Sequence, residues 1–396
     1  VSDQAAVLRL LRLDLTAFRS YDRLSWRPAA RLAVISGPNG SGKTNLLEAI
    51  SLLGPGRGLR QARVAEFARH RPDGPPGPWA VAARFAAPSA PGMPLEIGTG
   101  SPPEGGAPDR RVVRLAGAPA SQTDLAAHVT LSWITPQMER LFGEGPSGRR
   151  RFLDRLVWAL DPAHAREVAA HDAAMVRRNR LLSDGRADPA WLAGLEDGMA
   201  RHAVAATAGR RALVARLNAA LASGAVAPFP AARMSLLCPI AERLDQMPAL
   251  AVEDWLRAAL AASRAADAAS GSSSLGAHRA DMALADLATG RPAGLASTGQ
   301  QKALLLGVVL GHALVIAEAR GFAPLLLLDE PLVHLDEQHR AALLEALQRL
   351  PAQAFLTGTD AAPFAALAGE ADFLRCMEGT LAPDPAFARP ANGNSL

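Results

Sequence analysis

The spacing of apolar positions changes several times along this chain. Near the start, Val7 to Leu15 is dense in Val and Leu, and Arg31-Leu32-Ala33-Val34-Ile35-Ser36 is a second short apolar run. Both predict strands. The second run leads straight into a glycine-rich loop. An apolar helical pattern then covers Asn45 to Leu53 and is closed by Gly54-Pro55-Gly56, which predicts a helix and its stop. Three further strand candidates, Trp79 to Phe85, Leu95 to Gly98 and Arg111 to Leu115, alternate with Pro/Gly clusters at Pro72–Pro78, Pro88–Pro94 and Gly98–Pro108. That alternation predicts a small antiparallel meander.

From about Asp124 to Ala268 the pattern turns helical and rich in Ala, Leu and Arg, broken at Pro146, Pro162, Pro189, Pro228 and Pro230. No heptad repeat lasts long enough for a long coiled coil. Ala269 to Ser274 reads as a flexible loop. After Gly276, helical and strand patterns alternate again. Leu325 to Leu328, behind Pro324, is apolar at every position, as in a parallel strand buried on both faces. Ala354 to Asp360 reads as the last core strand. The chain is therefore expected to be α/β at both ends, with a mixed sheet, helices and a small antiparallel β-subdomain, and an inserted, mostly helical lobe. The expected segments are 1–122, 123–275 and 276–396.

Composition narrows the class. The chain has 396 residues, 49% hydrophobic and 20% charged, ordinary for a soluble globular protein. No run of eighteen apolar residues occurs, and Val1-Ser2-Asp3-Gln4 does not open a signal peptide. Cys238 and Cys376 form neither a metal spacing nor a disulfide framework, which fits a reducing cytoplasm. Net charge is only +4, yet all but two of the 42 basic residues are arginine. The two lysines, Lys43 and Lys302, both fall inside motifs, where a compact ammonium is not interchangeable with a guanidinium.

Gly37-Pro38-Asn39-Gly40-Ser41-Gly42-Lys43-Thr44, followed by Asn45, fits G-x-x-x-x-G-K-[ST] between a strand and a helix. Glycines at 37, 40 and 42 let successive N–H groups face one anion, and the helix N-terminus adds its positive end. In this pattern Lys43 reaches the β- and γ-phosphates and Thr44 holds Mg²⁺. The Leu325–Leu328 strand ends in Asp329-Glu330-Pro331. A carboxylate there is placed to serve Mg²⁺ (Asp329), and the next to act as general base (Glu330). An acidic pair opening a helix is the plainer alternative.

Leu295-Ala296-Ser297-Thr298-Gly299-Gln300-Gln301-Lys302 precedes a helix expected over Gln300 to Ala319. Ser297 is a good N-cap. The segment resembles the L-S-G-G-Q signature of ABC-type ATPases, with Thr298 in place of the first glycine. That resemblance implies that Ser297, Gly299 and Gln300 cap the γ-phosphate of ATP held by a second subunit. Leu335-Asp336 resembles the D-loop of the same superfamily, and His334 beside it has a structural reading. No switch histidine follows Ala354–Asp360, which separates the chain from transporter motors. Roughly 250 residues between Thr44 and Ser297 are too few for a long antiparallel coiled coil plus a lobe at about 1.5 Å per residue.

Several segments in order resemble the RecF family of bacterial recombination-repair ATPases. They are Leu15 to Tyr21, Leu53 to Arg60, Ile134-Thr135-Pro136, Gly145 to Asp154 (similar to G-P-x-x-R-R-x-F-L-D), Val176 to Leu182, and Gly276-Ala277-His278-Arg279-Ala280-Asp281 (similar to G-P-H-R-D-D). Ala277, Ala280 and Arg177 depart from the family pattern, and Gln137 stands where Glu is common. The resemblance implies an ABC-type P-loop ATPase head using ATP and Mg²⁺ and dimerising on ATP. It also implies binding to double-stranded and gapped DNA, work with RecR and RecO in RecA loading and the SOS response, and no membrane partner. Arg149, Arg150 and Arg151 form one basic cluster; Arg177, Arg178 and Arg180 form another. They read either as DNA-phosphate contacts or as a solvated face balanced by nearby carboxylates. Aromatics are 5% of the chain, with a single Tyr, so a base-stacking platform is not expected. Arg19 and Arg57 read either as nucleotide-lining or as surface residues. His278 and Arg279 read either as phosphate contacts or couplers of the lobe, or as parts of a local turn.

Overall fold

The structure, a computed structural model, describes residues 8–70, 77–90, 92–102, 110–185 and 188–387. Val1 to Val7 and parts of the three Pro/Gly clusters lie outside the described residues. In chain order the strands are β1 (Arg9–Phe18), β2 (Tyr21–Trp26), β3 (Leu32–Ser36), β4 (Ala80–Ala86), β5 (Leu95–Gly100), β6 (Val112–Leu115), β7 (Ala118–Pro119), β8 (Leu131–Ile134), β9 (Ala232–Leu237), β10 (Asp281–Asp286), β11 (Leu325–Leu328), β12 (Ala354–Gly358), β13 (Ala371–Met377) and β14 (Thr380–Pro383). The α-helices are α1 (Lys43–Ser51), α2 (Gln122–His128), α3 (Pro146–Leu160), α4 (His164–Ser183), α5 (Pro189–Ala222), α6 (Pro239–Leu244), α7 (Ala249–Ala262), α8 (Arg264–Ser270), α9 (Thr298–Arg320) and α10 (Glu337–Arg349).

The chain forms two compact units. The first takes in 1–139, 226–229 and 305–396, and the second 140–225 and 230–304. In the first, the central sheet has the order β14-β13-β3-β12-β11-β8. From β13 to β8 every pairing is parallel, and β14 adds an antiparallel edge. β3, β8, β11 and β12 are buried at every position, the pattern of strands covered on both faces. β12 therefore separates β3 from β11, and the phosphate loop and the acidic pair leave the sheet one strand apart. The other sheet is antiparallel in the order β2-β1-β4-β5-β6-β7.

In the second unit, α4 to α7 contribute to a core in which Met199, Ala203 and Val204 of α5 meet Val252, Leu256 and Leu260 of α7. β9 and β10 pair antiparallel beside them.

The unit edges fall at 139/140, 225/226, 229/230 and 304/305. The reason is strand pairing: β8 bonds to β11, and β10 bonds to β9. The structure differs from expectation in several places. β8 and β9 interrupt the stretch whose pattern reads as helical, because apolar runs this short carry no decisive period. Ala354–Gly358 lies in the middle of the sheet and is not the last core strand, since β13 pairs with the far side of β3. The meander includes the opening pair, β1 and β2. Of the segment read as a loop, Ala269 and Ser270 end α8, and the rest is anchored: Ser273 is fully buried and its hydroxyl donates to Asn179 Oδ1 at 2.7 Å. Finally, α9 has the length and apolar composition of a membrane span, but 78% of its most apolar window is buried inside the protein.

Candidate nucleotide-binding site and basic clusters

The phosphate loop starts where β3 ends. Gly37 N–H donates to Gly358 O of β12 at 3.2 Å. Gly37 has φ +150, and a Cβ there would lie 2.3 Å from Cys376 O. Gly42, with φ +113 before α1, would place a Cβ 2.7 Å from Ser20 Oγ. No other residue type fits either position without displacing its neighbours. Lys43 is 5% exposed, and its ammonium folds back to donate to Gly37 O at 2.7 Å and Pro38 O at 2.9 Å. Pro38, Asn39 and Gly40 are exposed. Ser41 Oγ is buried with no hydrogen-bond partner. An orphaned hydroxyl, an ammonium holding only carbonyls and the open N-terminus of α1 are suited to an anion with several oxygens.

Opposite the loop, β11 is followed by Asp329, 4% exposed. Its N–H donates to Ile134 O of β8 at 3.0 Å. Thr44 O–H donates to Asp329 Oδ1 at 3.0 Å, joining the two motifs. Thr357, fully buried on β12, donates from Oγ1 to the same carboxylate oxygen at 2.8 Å and accepts Glu330 N–H at 2.9 Å. One hydroxyl thus fixes both the Asp329 carboxylate and the Glu330 backbone. Glu330 sits at φ 50, an uncommon left-handed conformation for a residue with a side chain. The pair of hard oxygens on Thr44 and Asp329 suits Mg²⁺. The sequence reading missed Thr357. A hydroxyl ending a fully buried strand between the two motif strands was the available signal.

Asn45 Nδ2 donates to Ser20 Oγ at 3.0 Å, and Arg60 donates to Asn45 Oδ1 at 2.8 Å. Arg19 binds both oxygens of the fully buried Glu48 at 2.8 and 2.9 Å, so it is a structural ion pair behind the loop. Arg57 and Gln137 are exposed. His334, at φ 65, faces Glu139 Oε2 at 2.9 Å through Nδ1. Asp336 caps α10 by accepting His339 N–H at 2.8 Å.

Ser297, Gly299 and Gln300 belong to the second unit. Ser297 Oγ accepts Gln300 N–H at 3.3 Å, and Gln300 Oε1 accepts Ser297 N–H at 3.1 Å. This is a reciprocal cap on α9. Both residues are exposed, and neighbouring Leu295 is 69% exposed. Lys302 is buried.

The two arginine clusters divide. Arg178 is fully buried. It donates to Glu196 Oε1 at 3.0 Å, Asp267 Oδ2 at 2.7 Å, Ser273 Oγ at 2.9 Å and Leu260 O at 2.7 Å. Its guanidinium is committed to these buried partners. Arg149 holds Asp281 with two bonds of 2.8 Å and Glu144 O at 2.6 Å, and Arg150 donates to Ala280 O at 3.0 Å. These two are committed within the lobe as well. Arg151, Arg177 and Arg180 are exposed. Consecutive helical residues point about 100° apart, so adjacent arginines cannot share one face. His278 and Arg279 both donate to Ser273 O, at 3.0 Å and at 2.8 and 3.1 Å, which is the local-turn reading. Burial pushes the His278 imidazole down to about 4.

A parallel sheet with a phosphate loop after one strand and an acidic pair after the next but one, plus an antiparallel sheet and a helical insertion, defines an ABC-type P-loop ATPase head. A family model described as an AAA domain matches residues 12–63. The fold is similar to a solved structure of the recombination mediator protein RecF-ATPrS in the RecFOR pathway. That match has TM-score 0.81 and 20% identity, covering 95% of this chain and 98% of that one. It is more distantly similar to an Smc head domain bound to the C-terminal domain of ScpA, derived from Pyrococcus furiosus. Here the TM-score is 0.51 with 15% identity, covering 95% of each chain. In sequence the chain is 45% identical to a DNA replication and repair protein RecF of Mesorhizobium japonicum, over 96% of this chain and 98% of the relative. It is 44% identical to one of Brucella suis, over 93% and 95%. The chain belongs to the RecF family.

Proposed function

We propose that this chain hydrolyses ATP, dimerises when ATP is bound, and closes as a dimer on double-stranded or gapped DNA. In this reading it works in the cytoplasm with RecR and RecO to load RecA onto the single strand. The observation that carries the nucleotide part is the 3.0 Å contact between Thr44 Oγ1 and Asp329 Oδ1, groups 285 residues apart in sequence. The names of the relatives support a role in DNA replication and repair. The names of the neighbouring structures, RecF-ATPrS and RecF-ATP in the RecFOR pathway, support ATP and the RecFOR setting.

The chemistry asked of the protein is positioning and charge stabilisation. N–H groups of the phosphate loop receive the phosphate oxygens, and Lys43 exchanges the Gly37 and Pro38 carbonyls for the β- and γ-phosphates. Thr44 and Asp329 would hold Mg²⁺, which when bound neutralises charge on those oxygens. Glu330 accepts the proton of the attacking water. Ser297, Gly299 and Gln300 of a second copy close over the γ-phosphate. Arg151, Arg177 and Arg180 offer exposed charge to DNA phosphates, which gives affinity without sequence choice.

Glu330→Gln should keep ATP binding and slow turnover on the order of 10²-fold or more. Turnover near the parental rate would remove Glu330 as base. Running the same assay with and without gapped DNA separates a hydrolysing clamp from a scaffold that only binds nucleotide.

A further inference from the structure

We propose that Tyr21 and Cys376 are positioning residues of the phosphate loop, holding two of its carbonyls from behind and so aiming the N–H groups of Gly42 and Lys43 at the phosphates. The inference rests on the nucleotide reading above and adds to it two side chains that lie outside the phosphate-loop, acidic-pair and signature motifs.

Tyr21 is the chain's single tyrosine and opens β2; Cys376 lies on β13. Both are fully buried. Tyr21 O–H donates to Gly42 O at 3.0 Å. Cys376 S–H donates to Ser41 O at 3.2 Å. Gly379 N–H, in the turn after β13, donates to the same Ser41 oxygen at 3.2 Å. The phenol oxygen and the thiol sulfur are 3.5 Å apart, so the two donors form one patch beneath the loop. Burial raises the Tyr21 pKa, which keeps the phenol a neutral donor.

The geometry of the peptide bond turns this patch into a functional constraint. In a planar trans peptide the N–H points opposite to the C=O of the same unit. The Ser41 carbonyl shares its unit with Gly42 N–H, and the Gly42 carbonyl shares its unit with Lys43 N–H. Pinning the two oxygens on one side therefore sets the direction of two donors on the other. Those donors open α1, where the helix dipole also favours an anion. Close approach makes the brace stiff: a Cβ on Gly42 would lie 3.2 Å from Tyr21 Oη, and one on Gly37 would lie 2.3 Å from Cys376 O. Each carbonyl has one other donor, Leu46 N–H at 3.0 Å on Gly42 O and Gly379 N–H on Ser41 O. Removing one side chain should thus loosen the loop without unfolding it.

The test measures the ATP dissociation constant, the split between kcat and KM, and the melting temperature of Tyr21→Phe, Cys376→Val and Cys376→Ser in the full chain. Tyr21→Phe and Cys376→Val should weaken ATP binding and raise KM about tenfold, the size of one lost hydrogen bond. The value of kcat should stay within about twofold, the mark of binding lost equally in ground and transition states. Cys376→Ser keeps a donor and should restore parental binding. Folded variants with parental dissociation constants would overturn the proposal, as would Cys376→Ser binding no better than Cys376→Val. A parental protein that binds no ATP would sink the nucleotide reading itself, whereas parental binding with unaffected variants sinks only this inference.

Discussion

The phosphate loop and the arginine clusters of the second unit both concentrate positive character in a few residues, but they do so by different means. In the loop the work is done by the backbone. Glycines at 37 and 42 sit where a Cβ would collide, and the strand before and helix after fix the direction of the N–H groups. Local sequence therefore determines local chemistry. In the helices the charge is carried by long side chains, and their destinations are set by residues far away. Arg178 ends on Asp267, 89 positions along the chain, and Arg149 on Asp281, 132 along. The lesson is that a motif built from backbone geometry travels with its sequence, whereas a run of like side chains takes its meaning from the fold around it.

The largest effect should come from breaking this contrast at Arg178. Arg178→Ala leaves the buried Asp267 carboxylate without its arginine, while Glu196 keeps Arg264. That should cost about 3–5 kcal/mol of stability, seen as a large drop in melting temperature. An unchanged melting temperature with weakened DNA binding would return Arg178 to the DNA surface. Next comes Thr357→Val, which keeps shape and removes the hydroxyl shared by Asp329 and Glu330. Turnover should fall about tenfold and the Mg²⁺ requirement should rise, with Thr357→Ser near parental. Parental turnover at low Mg²⁺ in the valine variant would make Thr357 a packing residue only. The smallest effects belong to the exposed arginines. Arg151→Gln, Arg177→Gln or Arg180→Gln should each flatten the plot of log DNA affinity against log salt by about 0.9 if it neutralises one phosphate. Arg149→Gln should leave that slope unchanged, and a slope that moves with Arg149 would show that its pairing with Asp281 opens on DNA.

The legible parts of the fold have a shared cause. β3, β11, α1 and α9 carry either a motif or a long apolar pattern, and each lies within a few residues of its expected range. β8 has four residues and lies among helical sequence, so nothing in its period separated it from a buried helix turn. β13 was missed because Ala354–Asp360 already completed the expected sheet, although Ala371, Phe373 and Cys376 are its buried positions. At the site, Lys43, Thr44, Asp329 and Glu330 were legible because each stands at a fixed offset from a strand end. Thr357, Tyr21 and Cys376 reach the site through hydrogen bonds to backbone or carboxylate, and such contacts leave no spacing in a sequence. Among the arginines, exposure is decided by roughly 100° of rotation per residue, and that angle acquires meaning only once the neighbouring helix is in place.

The central claim is that a second copy must complete the nucleotide site. Sedimentation of Glu330→Gln with and without Mg²⁺ and ATP, alone and combined with Ser297→Arg, tests it most directly. The account predicts a dimer that appears only with nucleotide, and a Ser297→Arg form that still binds ATP but stays monomeric. A single protomer in the presence of bound ATP, or a nucleotide-driven dimer that survives Ser297→Arg, would contradict it.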